Sequence, residues 1–94
     1  PYPTIRELPP EEPVKFLNRL KESVKCYRKQ KLSHGDLSEY NILNRREEPF
    51  IIDVGQAVPD SHPLYFKLHQ RDMKNLYRFW KKYIPNLNEE EFKI

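Results

Sequence analysis

His34-Gly35-Asp36-Leu37-Ser38-Glu39-Tyr40-Asn41-Ile42-Leu43, followed by Phe50-Ile51-Ile52-Asp53-Val54-Gly55-Gln56, is the stretch from which the fold is read. Two apolar runs, Ile42-Leu43 and Phe50-Ile51-Ile52, are separated by the polar Asn44-Arg45-Arg46-Glu47-Glu48-Pro49. That pattern predicts a short β-hairpin with a charged connection. Asp36 and Asn41 stand just before the first strand and Asp53 closes the second. A hairpin brings those ends together, so two carboxylates and one carboxamide converge. Oxygen ligands of this kind suit Mg²⁺, a hard cation that takes one or two carboxylates and fills its other positions with water and phosphate oxygens.

Phosphoryl transfer asks for the same parts. An Asp accepts the proton of the attacking hydroxyl, an Asn after four intervening residues binds one metal, and a second Asp holds metal against the phosphates. The chain supplies His34-x-Asp36-x-x-x-x-Asn41, then Asp53-Val54-Gly55 where the kinase pattern has Asp-Phe-Gly. Asp36 is therefore the candidate base, and Asn41 and Asp53 the candidate metal ligands. Ser38 stands where conventional Ser/Thr kinases put a lysine, and a hydroxyl cannot neutralise the moving phosphate. Its roles are to contact phosphate or to cap the turn, with the structural role favoured. His34 is read as a buried, hydrogen-bonded scaffold for the loop, since an ordinary histidine pKa alone nominates no acid or base.

The wording Gly35-Asp36-Leu37-Ser38-Glu39-Tyr40-Asn41-Ile42-Leu43 and Ile51-Ile52-Asp53-Val54-Gly55-Gln56-Ala57-Val58 closely resembles the RIO family of atypical protein kinases, in its Rio1-type branch. The resemblance runs from about Pro10 to Tyr83, with His62-Pro63 and Arg71-Asp72-Met73-Lys74-Asn75 resembling the helix that follows in that family. It covers one lobe. The family's glycine-rich phosphate loop and strand lysine have no counterpart here. The resemblance implies an α+β, mainly α fold, the C-terminal lobe of a protein kinase, with helices around a short hairpin that carries the catalytic and metal-binding loops. It implies ATP with Mg²⁺ or Mn²⁺, Glu39 near the nucleotide phosphates, and Asp53 as a transient phosphoacceptor as well as a ligand. It also implies late maturation of the small ribosomal subunit, with pre-ribosomal particles as partner.

The 94 residues hold one domain, which buries only about 60–65% of its unfolded surface and is correspondingly modest in stability. A bilobal kinase does not fit in that length. Hydrophobic content of 37% with 33% charged residues suits a small globular chain and excludes disorder throughout. Seventeen Lys and Arg against fourteen Asp and Glu leave +3, a mild surplus compatible with ATP or RNA. The one cysteine, Cys26, forms no internal disulfide, and no apolar run approaches the roughly 20 residues that span a bilayer. The chain is read as intracellular, with a cytoplasmic location and no membrane partner. Beginning at Pro1-Tyr2-Pro3 without a Met, it is read as a piece of a longer chain.

Pro1 to Pro13 carry five prolines and are assigned as an extended linker, residues 1–13, from a preceding lobe, with the kinase-like lobe at 14–94. From about Pro10 the chain predicts an amphipathic helix of some five turns, opened by Glu11-Glu12 and carrying Val14, Phe16, Leu17, Leu20, Val24 and Tyr27 at helical spacing. Lys21 to Lys31 form a candidate basic patch for RNA. Gln56 to His62 reads as a loop. Pro63 suits the first turn of a second helix capped by Ser61 or His62, with a break near Gln70 and an apolar stripe from Leu64 through Phe66 and Trp80 to Tyr83. Asn88 caps a last helix opening with Glu89-Glu90-Glu91. His62 and His69 are read as cap and surface residues, and Trp80 as core rather than a base-stacking platform.

Two other readings stand beside the kinase-like one. A small-molecule phosphotransferase of the aminoglycoside or choline kinase type shares His-Gly-Asp and the later Ile-Asp, yet Ser38-Glu39-Tyr40-Asn41 and Gln56-Ala57-Val58 differ from its pattern. A noncatalytic lobe docking on RNA or protein through its basic helix is the other. The isolated lobe alone is expected to be inert, because half a constellation gives neither the positioning nor the charge stabilisation that phosphoryl transfer needs.

Overall fold

The computed structural model describes residues 2–94. The order is α1 (Pro13–Lys29), β1 (Leu32–Ser33), β2 (Ile42–Arg45), β3 (Glu48–Ile51), a 3₁₀ turn at Val54–Gln56, β4 (Val58–Pro59), α2 (Tyr65–Trp80) and a 3₁₀ turn at Glu89–Phe92. It is an α+β unit in which two helices enclose two small antiparallel pairs, β2 with β3 and β1 with β4.

The expected hairpin forms, with a tighter turn than the polar run implied. Ile42 pairs with Ile51, Leu43 with Phe50, Asn44 with Pro49 and Arg45 with Glu48, so four of the six polar residues lie in the strands. Arg46 and Glu47 alone make the turn, at φ 51° and 71°. Two consecutive residues with positive φ are what a two-residue hairpin turn requires to match strand twist. Asn44 Oδ1 accepts the Glu47 N–H at 2.8 Å and fastens the turn.

α1 begins at Pro13, later than the expected Pro10, with the fixed φ of proline serving its first turn. Glu11 and Glu12 precede the helix. Their backbone N–H groups are accepted instead by the Glu47 carboxylate of the hairpin turn, at 3.1 and 3.0 Å, and Arg19 donates back to the Glu47 carbonyl. The Glu47 carboxyl is held below the usual carboxylate range, chiefly by the Glu12 N–H. Phe16, Leu17, Leu20 and Val24 face the core, whereas Val14, assigned to that face, is exposed. The helix stops where Lys31 turns left-handed at φ 58°.

α2 starts at Tyr65, two residues past Pro63, and Leu64 rather than Ser61 or His62 is its cap. His62 contributes through Nδ1, which accepts the Leu64 N–H at 3.0 Å. No break occurs at Gln70. Tyr65, His69, Asp72, Met73, Leu76, Phe79 and Trp80 lie on its buried face, so His69, expected on the surface, is inside. Phe66, assigned to the stripe, is 69% exposed. Trp80 is fully buried, with the Phe16 ring 5.6 Å away. The last turn is capped by Asn88, whose side chain accepts from Glu90 while Glu91 accepts the Asn88 N–H.

The proline-rich start does more than connect. Thr4 bridges Leu43 in antiparallel sense, Ile5 N–H donates to the Ile42 carbonyl and Asn44 N–H to the Pro3 carbonyl. Ile5 is fully buried in the core beside Phe16, Leu20, Ile42 and Trp80. The folded unit therefore includes residues before 14.

Candidate functional site

Asp36, Ser38, Glu39, Asn41 and Asp53 sit in two loops at one end of the hairpin, and a closed ring of hydrogen bonds joins those loops. His34 Nδ1 accepts the Asp36 N–H at 3.2 Å. The Asp36 carbonyl accepts from Asn41 Nδ2. The Asn41 carbonyl accepts the Ile52 N–H at 2.9 Å, and the Ile52 carbonyl accepts from His34 Nε2 at 2.9 Å. Both imidazole contacts are met together by the neutral tautomer protonated at Nε2. His34 is 3% exposed, with Tyr27 edge-on to its ring, so it is the buried tie its sequence context implied.

Asp53 follows Ile52 directly and takes a left-handed conformation, φ 59° and ψ 48°, which Asp tolerates better than most residues. The carboxylates of Asp36 and Asp53 are exposed, and among the described residues neither takes part in an internal hydrogen bond or ion pair. Asn41 is buried, and its Oδ1 accepts the Ser38 N–H at 2.8 Å. A carbonyl oxygen has a second lone pair, so that contact orients Oδ1 without saturating it. Ser38 Oγ accepts the Tyr40 N–H at 3.2 Å and closes the turn, and Glu39 lies half-buried in the same loop. Among the described residues no three His, Cys, Asp or Glu side chains cluster into a ready metal cage. Two solvent-exposed acids beside a buried amide fit instead a cation that brings phosphate and water as its other ligands.

Two further features shape this loop. Asp72 on α2 is 1% exposed, and its two oxygens accept the Gly35 N–H at 2.9 Å and the Leu37 N–H at 2.8 Å. Burial pushes its pKa up, opposed by those two N–H donors and by the charge of Arg71. Arg71 donates to the Gly35 carbonyl and Asn75 to that of Leu37. α2 thus grips the backbone on both sides of Asp36, while the Leu37 side chain is sunk in the core. The signal was present in the sequence, since Asp72 falls in phase with Tyr65, His69 and Leu76 on an otherwise apolar face.

Gly35 is the second. At φ 85°, a Cβ there would lie 2.9 Å from the Gln56 carbonyl oxygen, so the loop before Asp36 and the turn after Asp53 touch backbone to backbone. β1 and β4 reinforce the contact, pairing Leu32 with Pro59 and Ser33 with Val58. The region expected to be a free loop is a strand-tied return.

The family model described as the RIO domain matches residues 1–93. The chain belongs to the RIO family. Over 83 residues it is 40% identical to the RIO-type serine/threonine-protein kinase Rio1 of Methanocaldococcus jannaschii, covering 87% of this chain and 29% of that protein. Over 62 residues it is 47% identical to the Rio2 kinase of the same organism, covering 65% of this chain and 22% of that one. The rio1 kinase of Dictyostelium discoideum is 36% identical over 69 residues, 73% of this chain and 12% of its own length. The chain spans less than a third of each of these relatives. In this RIO domain the hydrogen-bonded ring, Asp72 and Gly35 are the parts that give the Asp36 and Asp53 loops one relative placement.

Proposed function

We propose that this RIO domain carries the base and the metal-binding half of a Mg²⁺-dependent ATP phosphotransferase or ATPase. The observation that supports this best is the closed ring through His34, Asp36, Asn41 and Ile52, which leaves the Asp36 and Asp53 carboxylates free and exposed at adjoining loops. Asp36 orients the attacking hydroxyl or water and accepts its proton. Asn41 Oδ1 and Asp53 are the groups that would hold Mg²⁺, or Mn²⁺, and the cation would supply charge neutralisation along the phosphates. Ser38 holds the turn, and Glu39 borders the phosphates. Asp53 additionally serves as a transient phosphoacceptor, an aspartyl phosphate being a known intermediate of phosphoryl chemistry. The glycine-rich loop and lysine that grip the triphosphate come from elsewhere in the protein, so residues 1–94 alone are inactive.

Names of the relatives support a serine/threonine kinase reading. The resemblance adds the small ribosomal subunit precursor as partner and the cytoplasm as location. The test is ATP turnover by the intact protein with Mg²⁺. Asp36→Asn and Asp53→Asn are each expected to reduce it at least a hundredfold without loss of folding, and a phosphoenzyme cleaved by alkali or hydroxylamine is expected to vanish in Asp53→Glu. Undiminished turnover in both Asn variants would overturn the assignment, and an undiminished phosphoenzyme in Asp53→Glu would remove the phosphoacceptor role. Robust hydrolysis by residues 1–94 alone, abolished by Asp36→Ala, would overturn the division of labour.

A further inference from the structure

Arg6 and Tyr40 meet at the outer edge of the Asp36 loop, away from the core. The Arg6 guanidinium lies over the Tyr40 ring, 5.1 Å from its centroid. Both side chains are exposed, Tyr40 at 62%, and among the described residues Arg6 has no hydrogen-bond or ion-pair partner. The neighbouring carboxylate is already committed. Glu7 Oε1 accepts the Thr4 N–H at 3.0 Å and the Thr4 hydroxyl at 3.1 Å, and the Glu7 N–H returns to Thr4 Oγ1 at 3.2 Å.

Each residue of the pair is placed by its own backbone. Arg6 stands between that Thr4–Glu7 turn and Ile5, which is fully buried and donates its N–H to the Ile42 carbonyl at 2.9 Å. Tyr40 donates its N–H to Ser38 Oγ, and Asn41 after it is bonded to the Asp36 carbonyl and the Ser38 N–H. The platform therefore has one position relative to Asp36. A guanidinium resting on a ring contributes little to stability at an exposed site, but the stacking orients its fork and leaves the N–H edge to a planar carboxylate.

We infer that Arg6 on the Tyr40 ring is a specificity subsite for the phosphoacceptor and takes an acidic side chain of a serine-bearing peptide. This deepens the phosphotransfer reading and rests on Asp36 being the base. Asn41 turns inward and is 4% exposed, whereas Tyr40 beside it turns outward. Side chains that part in this way put Arg6 outside the metal-facing side of the loop, on the flank where an acceptor passes Asp36. Tyr40 is four residues from Asp36, a span of at most about 14 Å. The recognised Asp or Glu accordingly lies within about four positions of the serine.

The experiment uses the intact protein and two serine peptides, one with Glu on both sides of the serine and one with Gln at the same positions. Anisotropy of the labelled peptides reports binding, and phosphate transfer from ATP with Mg²⁺ reports turnover. Wild type is expected to favour the Glu peptide at least tenfold in both Kd and kcat/KM. Arg6→Gln should bring the two peptides within twofold, through Kd and KM for the peptide rather than KM for ATP, with an unchanged melting temperature. Arg6→Glu should turn the preference toward a peptide with Lys at those positions. Lys82→Gln, which removes an exposed charge beyond the end of α2, should keep the preference of the wild type. Equal affinity of the wild type for both peptides overturns the inference, as does a tenfold preference that survives in Arg6→Gln. An equal loss in Lys82→Gln overturns it in favour of net charge, and a rise confined to KM for ATP in Arg6→Gln overturns it in favour of the nucleotide. Arg6-dependent binding of the Glu peptide by a protein that transfers no phosphate would keep the acidic-peptide site and remove the phosphotransfer reading.

Discussion

His34 Nε2 donates to the Ile52 carbonyl across 2.9 Å, and that bond fastens the loop carrying Asp36 to the strand end carrying Asp53. Nothing covalent is shorter than the eighteen residues between them, so the imidazole sets the distance between the proposed base and the proposed metal ligand. Removing it in His34→Ala deletes two hydrogen bonds and leaves a cavity beside Tyr27. The expected loss of unfolding free energy is about 2–4 kcal/mol, read from urea denaturation. In the intact protein kcat should fall more than KM for ATP rises, because the groups remain and only their spacing relaxes. Wild-type stability together with wild-type kcat would show that the ring is not the tie.

Asp72 makes a sharper case. A buried N–H deprived of its acceptor costs about 1–3 kcal/mol, and Asp72→Ala orphans two of them, at Gly35 and Leu37. A destabilisation of roughly 3–5 kcal/mol is expected, enough to unfold much of a domain this small. Asp72→Asn keeps one acceptor oxygen and the shape, so it should lose less than half as much. Equal losses in the two variants would mean that volume, not backbone anchoring, is the contribution.

Gly35 is constrained from both sides. Its φ of 85° lies where side chains other than glycine are strained, and the Gln56 carbonyl stands 2.9 Å from where a Cβ would go. Gly35→Ala is expected to cost roughly 1–2 kcal/mol for the left-handed backbone, plus a displacement of the turn after Asp53. Since the obstacle is backbone and not a flexible side chain, the turn must move. Phosphotransfer by the intact protein should fall at least tenfold, and the amide signals of Asp53 to Gln56 should shift in NMR spectra of a folded variant.

His69 gives the domain a pH dependence of known sign. Burial, together with the nearby Arg28 charge, holds its pKa below the ordinary 6.5. The unfolded chain therefore takes up the proton first as pH falls. Stability contributed by neutral His69 is fully present above about pH 6.5 and is lost as pH drops through the folded-state value. Urea midpoints should decline between pH 7 and pH 5, and His69→Gln should remove part of that decline. A flat profile in the wild type over that interval would contradict the buried, neutral placement.

How much of this was legible depends on whether a residue's partner is near in sequence. The hairpin announced itself because Ile42-Leu43 and Phe50-Ile51 are apolar runs a few residues apart, and the loops could be paired because Asp36, Asn41 and Asp53 bracket it. Its turn was misplaced because Arg45 and Glu48 are polar residues on an exposed strand face, and Asn44 is a buried polar residue whose amide is satisfied by Leu8 and Glu47, so polarity does not separate strand from loop here. β1 and β4, two residues each, are too short for any period. His34 was legible as a scaffold from its place beside Gly35-Asp36. Asp72 was visible only as a charge in the phase of an apolar stripe, and its purpose lies 35 residues away at Leu37. The pairing of Lys21 with Glu91 joins residues 70 apart in the chain, which no window along the chain can see.

Ile5 was hidden for another reason, and it yields the last prediction. A lone isoleucine among Pro3, Pro9 and Pro10 has no periodicity, so the segment reads as a connection even though it supplies a fully buried core side chain. Its backbone also completes the hairpin edge, through the Ile5 N–H to Ile42 and the Asn44 N–H to Pro3. Ile5→Ala should cost about 2–4 kcal/mol as a large-to-small core change. A chain trimmed to begin at Val14 loses that side chain, the edge pairing and the Glu47 contacts to Glu11 and Glu12 together, and is expected to lack a cooperative thermal transition. If the trimmed chain melts with the temperature and enthalpy of residues 1–94, the segment before Val14 is a tether and not part of the fold.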